Sequence, residues 1–144
     1  MSAVSQLARK IVDSRFLRFA VIGSGGFIVD ESVLALLHGG IGLDPFSARA
    51  ISILTAMTFT WWGNRNLTFR EHAASGAQNT LSEWLRFMAA NTVGALVNYG
   101  TYAALVRFAP APLDNAYLAV AAGVAVGLVF NFTLSKRFVF RARD

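Results

Sequence analysis

Four long apolar runs, with the basic residues gathered between them rather than within them, set the terms for this chain. They cover residues 19–37, 46–62, 85–106 and 117–134. A hydrocarbon core about 30 Å thick needs roughly 20 apolar residues per helix, and all four runs come near that length. Together they take up more than half of the 144 residues, which leaves no space for a separate soluble domain. A water-soluble four-helix bundle would need a polar stripe along every helix. Charged residues make up only 15% of this chain, against about 25% in soluble domains. The expected fold class is an all-α membrane protein, a single transmembrane domain over 1–144 with approximate spans 17–37, 46–63, 85–106 and 115–134. A soluble enzyme, a disordered chain and a nucleic-acid-binding domain all fit poorly. The absence of cysteine excludes disulfides, thiolate zinc sites and thiol catalysis.

Basic residues fix the expected orientation. Arg9, Lys10, Arg15 and Arg18 precede the first run, Arg65, Arg70 and Arg86 separate the second from the third, and Lys136, Arg137, Arg141 and Arg143 follow the fourth. These eleven fall on one side of the membrane, with only Arg49 and Arg107 on or near the other. The positive-inside rule then puts both termini and the middle connection in the cytoplasm, as a multi-pass protein of the cytoplasmic (inner) membrane. The first run is too long for a cleaved signal peptide. Residues 1–15 carry Leu7, Ile11 and Val12 among Arg9, Lys10 and Arg15. That pattern fits a short amphipathic segment on the membrane surface or, equally, a plain basic terminus. The small, polar stretch 72–79 reads as a flexible linker.

The chain also repeats itself. Phe16-Leu17-Arg18-Phe19 matches Trp84-Leu85-Arg86-Phe87 at an offset of 68, which places Gly26 on Gly94 and Asp30 on Asn98. Arg65-Asn66-Leu67-Thr68-Phe69-Arg70 matches Lys136-Arg137-Phe138-Val139-Phe140-Arg141 at an offset of 71, which places Thr60 on Asn131. Each half crosses the membrane an even number of times, so the halves are expected to be two tandem helical hairpins in parallel orientation. Small residues recur every fourth position, as Ala48, Ser52, Ala56 and Thr60 in one half and Ala119, Gly123, Gly127 and Asn131 in the other. Such ladders let helix backbones approach closely.

Polar groups inside the runs are the candidates for function. Asp30 and Glu31 lie within the first run, where an ionised acid at the centre of a helix costs about 2.5–3.5 kcal/mol. Two readings fit: a functional acid, with proton coupling through Asp30 or Glu31 among its uses, or a pair reaching the outer headgroups. Asp30, Thr60, Asn91, Asn98 and Asn131 could line one polar furrow suited to sugar hydroxyls, or simply bond helix to helix. At the basic ends, Arg18, Arg65, Arg86, Lys136 and Arg137 form either topology anchors or a phosphate-binding ring, since guanidinium groups bind phosphate bidentately. Gly23-Ser24-Gly25-Gly26 is no nucleotide loop, because no strand precedes it. His38 and His72 lack metal-ligand spacing, and no serine–histidine–acid set can be assembled. The expectation is a protein that is not an enzyme and uses no cofactor or metal.

These motifs resemble the GtrA-like family. The resemblance rests on Phe16-Leu17-Arg18-Phe19 with Gly23 and Asp30, on Asn64-Arg65-Asn66-Leu67-Thr68-Phe69, on Trp84-Leu85-Arg86-Phe87 with Asn91 and Gly94, and on Asn131-Phe132-Thr133-Leu134-Ser135-Lys136-Arg137-Phe138-Val139-Phe140. It runs from about residue 15 to residue 142. Thr60 stands where the family pattern usually has asparagine, and Glu31 where it has an apolar residue. The resemblance implies a small four-helix protein that moves a polyprenyl-phosphate-linked sugar across the cytoplasmic membrane for cell-surface polysaccharide synthesis. The expected partners are that lipid, the membrane, a second copy in a homodimer, and a glycosyltransferase; nucleic acid is not among them. Two rivals remain at this level: a membrane anchor that recruits a glycosyltransferase, and a proton-coupled efflux transporter of the small multidrug type.

Overall fold

The first two apolar runs begin where a polar side chain caps them. Ser14 accepts a hydrogen bond from the Leu17 amide at 3.3 Å, and Asp44 accepts from Phe46 and Ser47 at 3.1 and 3.0 Å. These bonds occupy amides that the first turn leaves without partners. The Ser47 hydroxyl, and then its amide, hold the Asp44 carboxyl below the usual carboxylate range. Pro45 follows that cap at the first helical position, where its missing N–H costs nothing. Gly76 supplies the positive φ of 83° from which the third long helix starts.

The computed structural model describes residues 3–141, apart from the side chains of Ile11, Pro45 and Tyr117; Arg143 of the basic C-terminal group lies outside these residues. The helices are α1 (Ala3–Asp13), α2 (Arg15–Leu34), α3 (Pro45–Gly63), α4 (Ala77–Phe108) and α5 (Ala116–Leu134). No strand occurs among the described residues. The chain forms two compact units, Met1–Ala73 and Ala74–Asp144, dividing inside the small polar linker. In the first, α2 packs on α3; in the second, α4 packs on α5.

The buried face of each hairpin is small and the outward face is large. Ala48, Ser52 and Ala56 of α3 are buried, as are Ala119, Gly123 and Gly127 of α5. Phe27 and Ile28 of α2 stay 66% exposed, and Leu96 of α4 stays 68% exposed. The segments Arg15–Gly40 and Leu118–Val139 are long and apolar enough to cross a membrane. Only 11% and 22% of their most apolar windows are buried in the protein. A core helix of a soluble protein would bury most of such a window, so the solvent for these faces is hydrocarbon and the protein is a membrane protein.

The repeat survives in three dimensions. Helix α3 runs on into a π-helical turn at Asn64–Thr68, and α5 into another at Ser135–Val139, 71 residues later. Both are closed by the same bond, from the Phe69 amide to the Asn64 carbonyl and from the Phe140 amide to the Ser135 carbonyl, each 2.8 Å. The aromatic ring after each turn meets its hairpin partner edge-on, Phe69 against Phe19 at 6.3 Å and Phe140 against Phe87 at 6.2 Å.

Close approach depends on missing Cβ atoms. A Cβ on Gly127 would sit 2.8 Å from the Asn98 Cβ and 3.0 Å from the Gly94 carbonyl oxygen. A Cβ on Gly94 would collide with the Asn131 amide. Gly94→Ala should therefore lower the melting temperature in detergent, by an overpacking cost of about 1–3 kcal/mol. Gly100, with nothing near its Cβ position, should accept alanine at no cost. Adding Asn131→Ala to Gly94→Ala should recover part of the loss.

Candidate functional site

The π turns decide which side chains reach the basic end of each hairpin. A π turn closes i→i+5 bonds instead of i→i+4, which shifts the phase of everything after it. In the first turn the freed carbonyls are served locally: Asn64 donates to the Thr60 carbonyl at 3.0 Å, and the Thr68 hydroxyl donates to Asn64 Oδ1 at 2.8 Å. Beyond the turns come Arg70 and Arg141, which lie in the clefts described next.

A cleft of about 550 Å³ opens beside α2 in the first hairpin, lined by Arg15, Arg18, Val21, Ile22, Leu67 and Arg70 among others. The second hairpin has one of about 410 Å³, lined by Arg86, Ala89, Ala90, Val93, Phe138 and Arg141 together with Leu134. The two are copies. Arg18, Val21 and Ile22 become Arg86, Ala89 and Ala90 at the offset of 68, and Leu67 and Arg70 become Phe138 and Arg141 at 71. Each cleft thus sets guanidinium groups against apolar helix faces: Arg15, Arg18 and Arg70, with Glu71 beside them, in the first, and Arg86 and Arg141 in the second. That combination suits an amphiphile with an anionic head, because guanidinium binds phosphate through parallel N–H bonds while the tail stays among hydrocarbon side chains.

Of the five basic residues picked out by sequence, Arg18 and Arg86 line the clefts. Arg65 does not; its guanidinium lies over the Trp61 ring at 5.7 Å. Lys136 and Arg137 are exposed and also lie outside the linings. The clefts also hold Arg70 and Arg141, which the sequence reading does not single out for phosphate although both close the repeated motif at equivalent positions. An α-helical phase carried past residue 64 or 135 hides them.

The polar residues inside the runs meet partners within their own hairpins. Asp30 accepts a hydrogen bond from Arg49 at 2.9 Å, and Glu31 stands 3.8 Å from the same guanidinium. Sequence reading had set Arg49 apart as an outer basic residue without pairing it to the acids. The carboxylate of Asp30 is 13% exposed, with Oδ1 buried and lacking a hydrogen bond, while Arg49 is 45% exposed. The Thr60 hydroxyl donates to its own helix at the Ala56 carbonyl, 2.6 Å, and lies against Gly26. In the second hairpin the same contact is made by Asn131 against Gly94. Asn91 donates to the Phe87 carbonyl at 3.0 Å. Asn98 lies over Gly123 and Gly127 and edges a cleft of about 300 Å³ with Tyr99, Tyr102 and Val120. Sequence reading also missed Glu83, buried in α4, whose Oε2 accepts the Ala74 amide at 2.6 Å and ties down the linker ahead of that helix.

A family model described as GtrA/DPMS, transmembrane domain, matches residues 18–143. Comparison with the curated proteins finds no match.

The Asp30–Arg49 pair makes an asymmetric prediction. Arg49→Gln strands a mostly buried carboxylate and should cost roughly 1–3 kcal/mol. Asp30→Asn leaves a half-exposed guanidinium free to reach water and copies the asparagine of the second hairpin, so it should cost less. Thermal unfolding of both single variants and the double variant in detergent checks the order; equal costs would contradict the burial argument.

Proposed function

The chain belongs to the GtrA/DPMS transmembrane-domain family, and from that membership we propose that it carries a polyprenyl-phosphate-linked sugar across the cytoplasmic membrane for cell-surface polysaccharide synthesis. The observation that supports this reading is the doubled cleft, two arginines set against apolar helix faces and repeated in each hairpin. A free sugar phosphate has no use for the apolar wall, and an uncharged lipid has none for the arginines.

In this proposal all four long helices span the bilayer and both termini are cytoplasmic. Helix α3, with 19 residues, rises about 28 Å at 1.5 Å per residue, close to the hydrocarbon thickness. The basic ends then lie at the cytoplasmic headgroups, where Arg18, Arg70, Arg86 and Arg141 meet the phosphate. The polyprenyl tail runs along the apolar faces and never leaves hydrocarbon. Farther along the second hairpin, Asn98 beside Tyr99 and Tyr102 offers an amide and two phenols to sugar hydroxyls. Membrane crossing then requires shielding only the head.

Headgroup crossing in reconstituted vesicles tests the proposal, with a short-chain polyprenyl-phosphate hexose as probe. Replacing Arg18, Arg70, Arg86 and Arg141 together by glutamine should slow crossing by at least about tenfold, since charge-assisted hydrogen bonds contribute about 1.5–3 kcal/mol. A rate unchanged from wild type, with the variant folded by circular dichroism, would refute it.

A further inference from the structure

The two clefts are built alike but are not in the same electrostatic state. In the first hairpin two of the three cleft cations are already engaged. Arg15 pairs with Glu71 at 2.8 Å at the exposed edge of the cleft, both residues belonging to its lining. Arg18 donates to the Val12 carbonyl at the end of α1, and its Nε is buried without a partner. Glu71 also places a carboxylate where a phosphate would have to come. Of the cleft's three arginines, Arg15 holds a carboxylate and Arg18 a backbone carbonyl, and Arg70 holds neither among the described residues.

The second hairpin has none of these closures. Helix α4 runs unbroken from Ala77, so no separate helix end faces Arg86. Glu83 stands in the place of Arg15 at the offset of 68, and it is turned inward onto the Ala74 amide. Neither Arg86 nor Arg141 has a carboxylate partner among the described residues, and both are exposed. The same contrast recurs at the opposite end of the hairpins. Asp30, Glu31 and Arg49 form an ion-paired cluster in the first. Their equivalents Asn98, Tyr99 and Val120 line an open cleft in the second.

We propose that only the second hairpin binds the phosphate-headed lipid in the resting protein, through Arg86 and Arg141, while the first is held shut by its own Arg15–Glu71 pair and the α1 carbonyl end. This rests on the reading that such clefts take a lipid phosphate. A phosphate entering the first cleft must break an ion pair and face Glu71. One entering the second meets two exposed cations that have no carboxylate partner among the described residues. The first hairpin is thereby a self-neutralised scaffold, and the second carries the cargo.

The test counts binding sites on the full chain in phosphatidylcholine nanodiscs, with farnesyl phosphate as probe. Wild type should bind one equivalent per chain. Arg86→Gln with Arg141→Gln should weaken that site at least tenfold. Glu71→Gln should add a second equivalent, and Arg18→Gln with Arg70→Gln in that background should remove the second and keep the first. Two equal sites in wild type, or no second site in Glu71→Gln, would overturn the asymmetry and leave lipid binding standing. Loss of the wild-type site on changing Arg18 and Arg70 instead of Arg86 and Arg141 would do the same. No farnesyl phosphate bound by any version would overturn the lipid reading as well. A parallel titration with inorganic phosphate should show no site of comparable affinity; equal affinity would overturn the requirement for a lipid tail.

Discussion

Everything in each hairpin follows from how near two helix backbones can come. Where Gly94, Gly123 and Gly127 leave out a Cβ, α4 and α5 close until the asparagine side chains of one helix fill the space left on the other. Gly26 does the same for Thr60 in the first hairpin. A seam of that kind gains dispersion contacts along its whole length, the main attraction left between helices once hydrocarbon replaces water as solvent. It also settles where the bulky side chains go. Along that stretch bulky side chains such as Phe27, Ile28 and Leu96 turn outward, while Phe19 and Phe69, or Phe87 and Phe140, fill the interior at the other end.

The polar seam residues take their meaning from the same geometry. An amide or hydroxyl buried in hydrocarbon costs free energy unless it is hydrogen-bonded, and Asn131 Oδ1 is buried without such a bond. Thr60 and Asn91 find theirs one turn back on the same helix. Asn98 and Asn131 fit against glycine backbones across the seam. Asp30 instead accepts a hydrogen bond from Arg49 of α3. The first hairpin thus solves with an ion pair what the second solves with an asparagine.

The sequence made the helices, the small-residue faces and the duplication legible because each depends on composition at a fixed spacing. Ala48, Ser52 and Ala56 could be named as a packing face without coordinates, since a four-residue step keeps one side of a helix. The arginine clefts were harder. Their two cations come from different helices, and the second follows a π turn that breaks the step on which face assignments rest. Arg65 was therefore chosen over Arg70, and Lys136 and Arg137 over Arg141. The Asp30–Arg49 pair was hidden for another reason: nineteen residues separate its members, and only the angle at which α2 and α3 pack brings them together.

A seam this close has a consequence for cargo. Within either hairpin the interior is filled by Phe19 and Phe69 or by Phe87 and Phe140 at one end, and by glycine–asparagine or glycine–threonine contacts farther along. No sugar could pass through such an interior without separating the helices. The two arginine clefts lie on the outside of their own hairpins, where, under the proposed function, a polyprenyl chain would meet apolar side chains. A phosphate held by arginines at the rim of such a face keeps its tail in hydrocarbon throughout. Only the sugar then requires polar atoms along its route, and on the second hairpin the nearest to that face's far end are Asn98, Tyr99 and Tyr102. In the proposed transport, the division of labour between a charged rim and a sparse set of neutral donors follows from a hairpin interior too closely packed to admit a sugar.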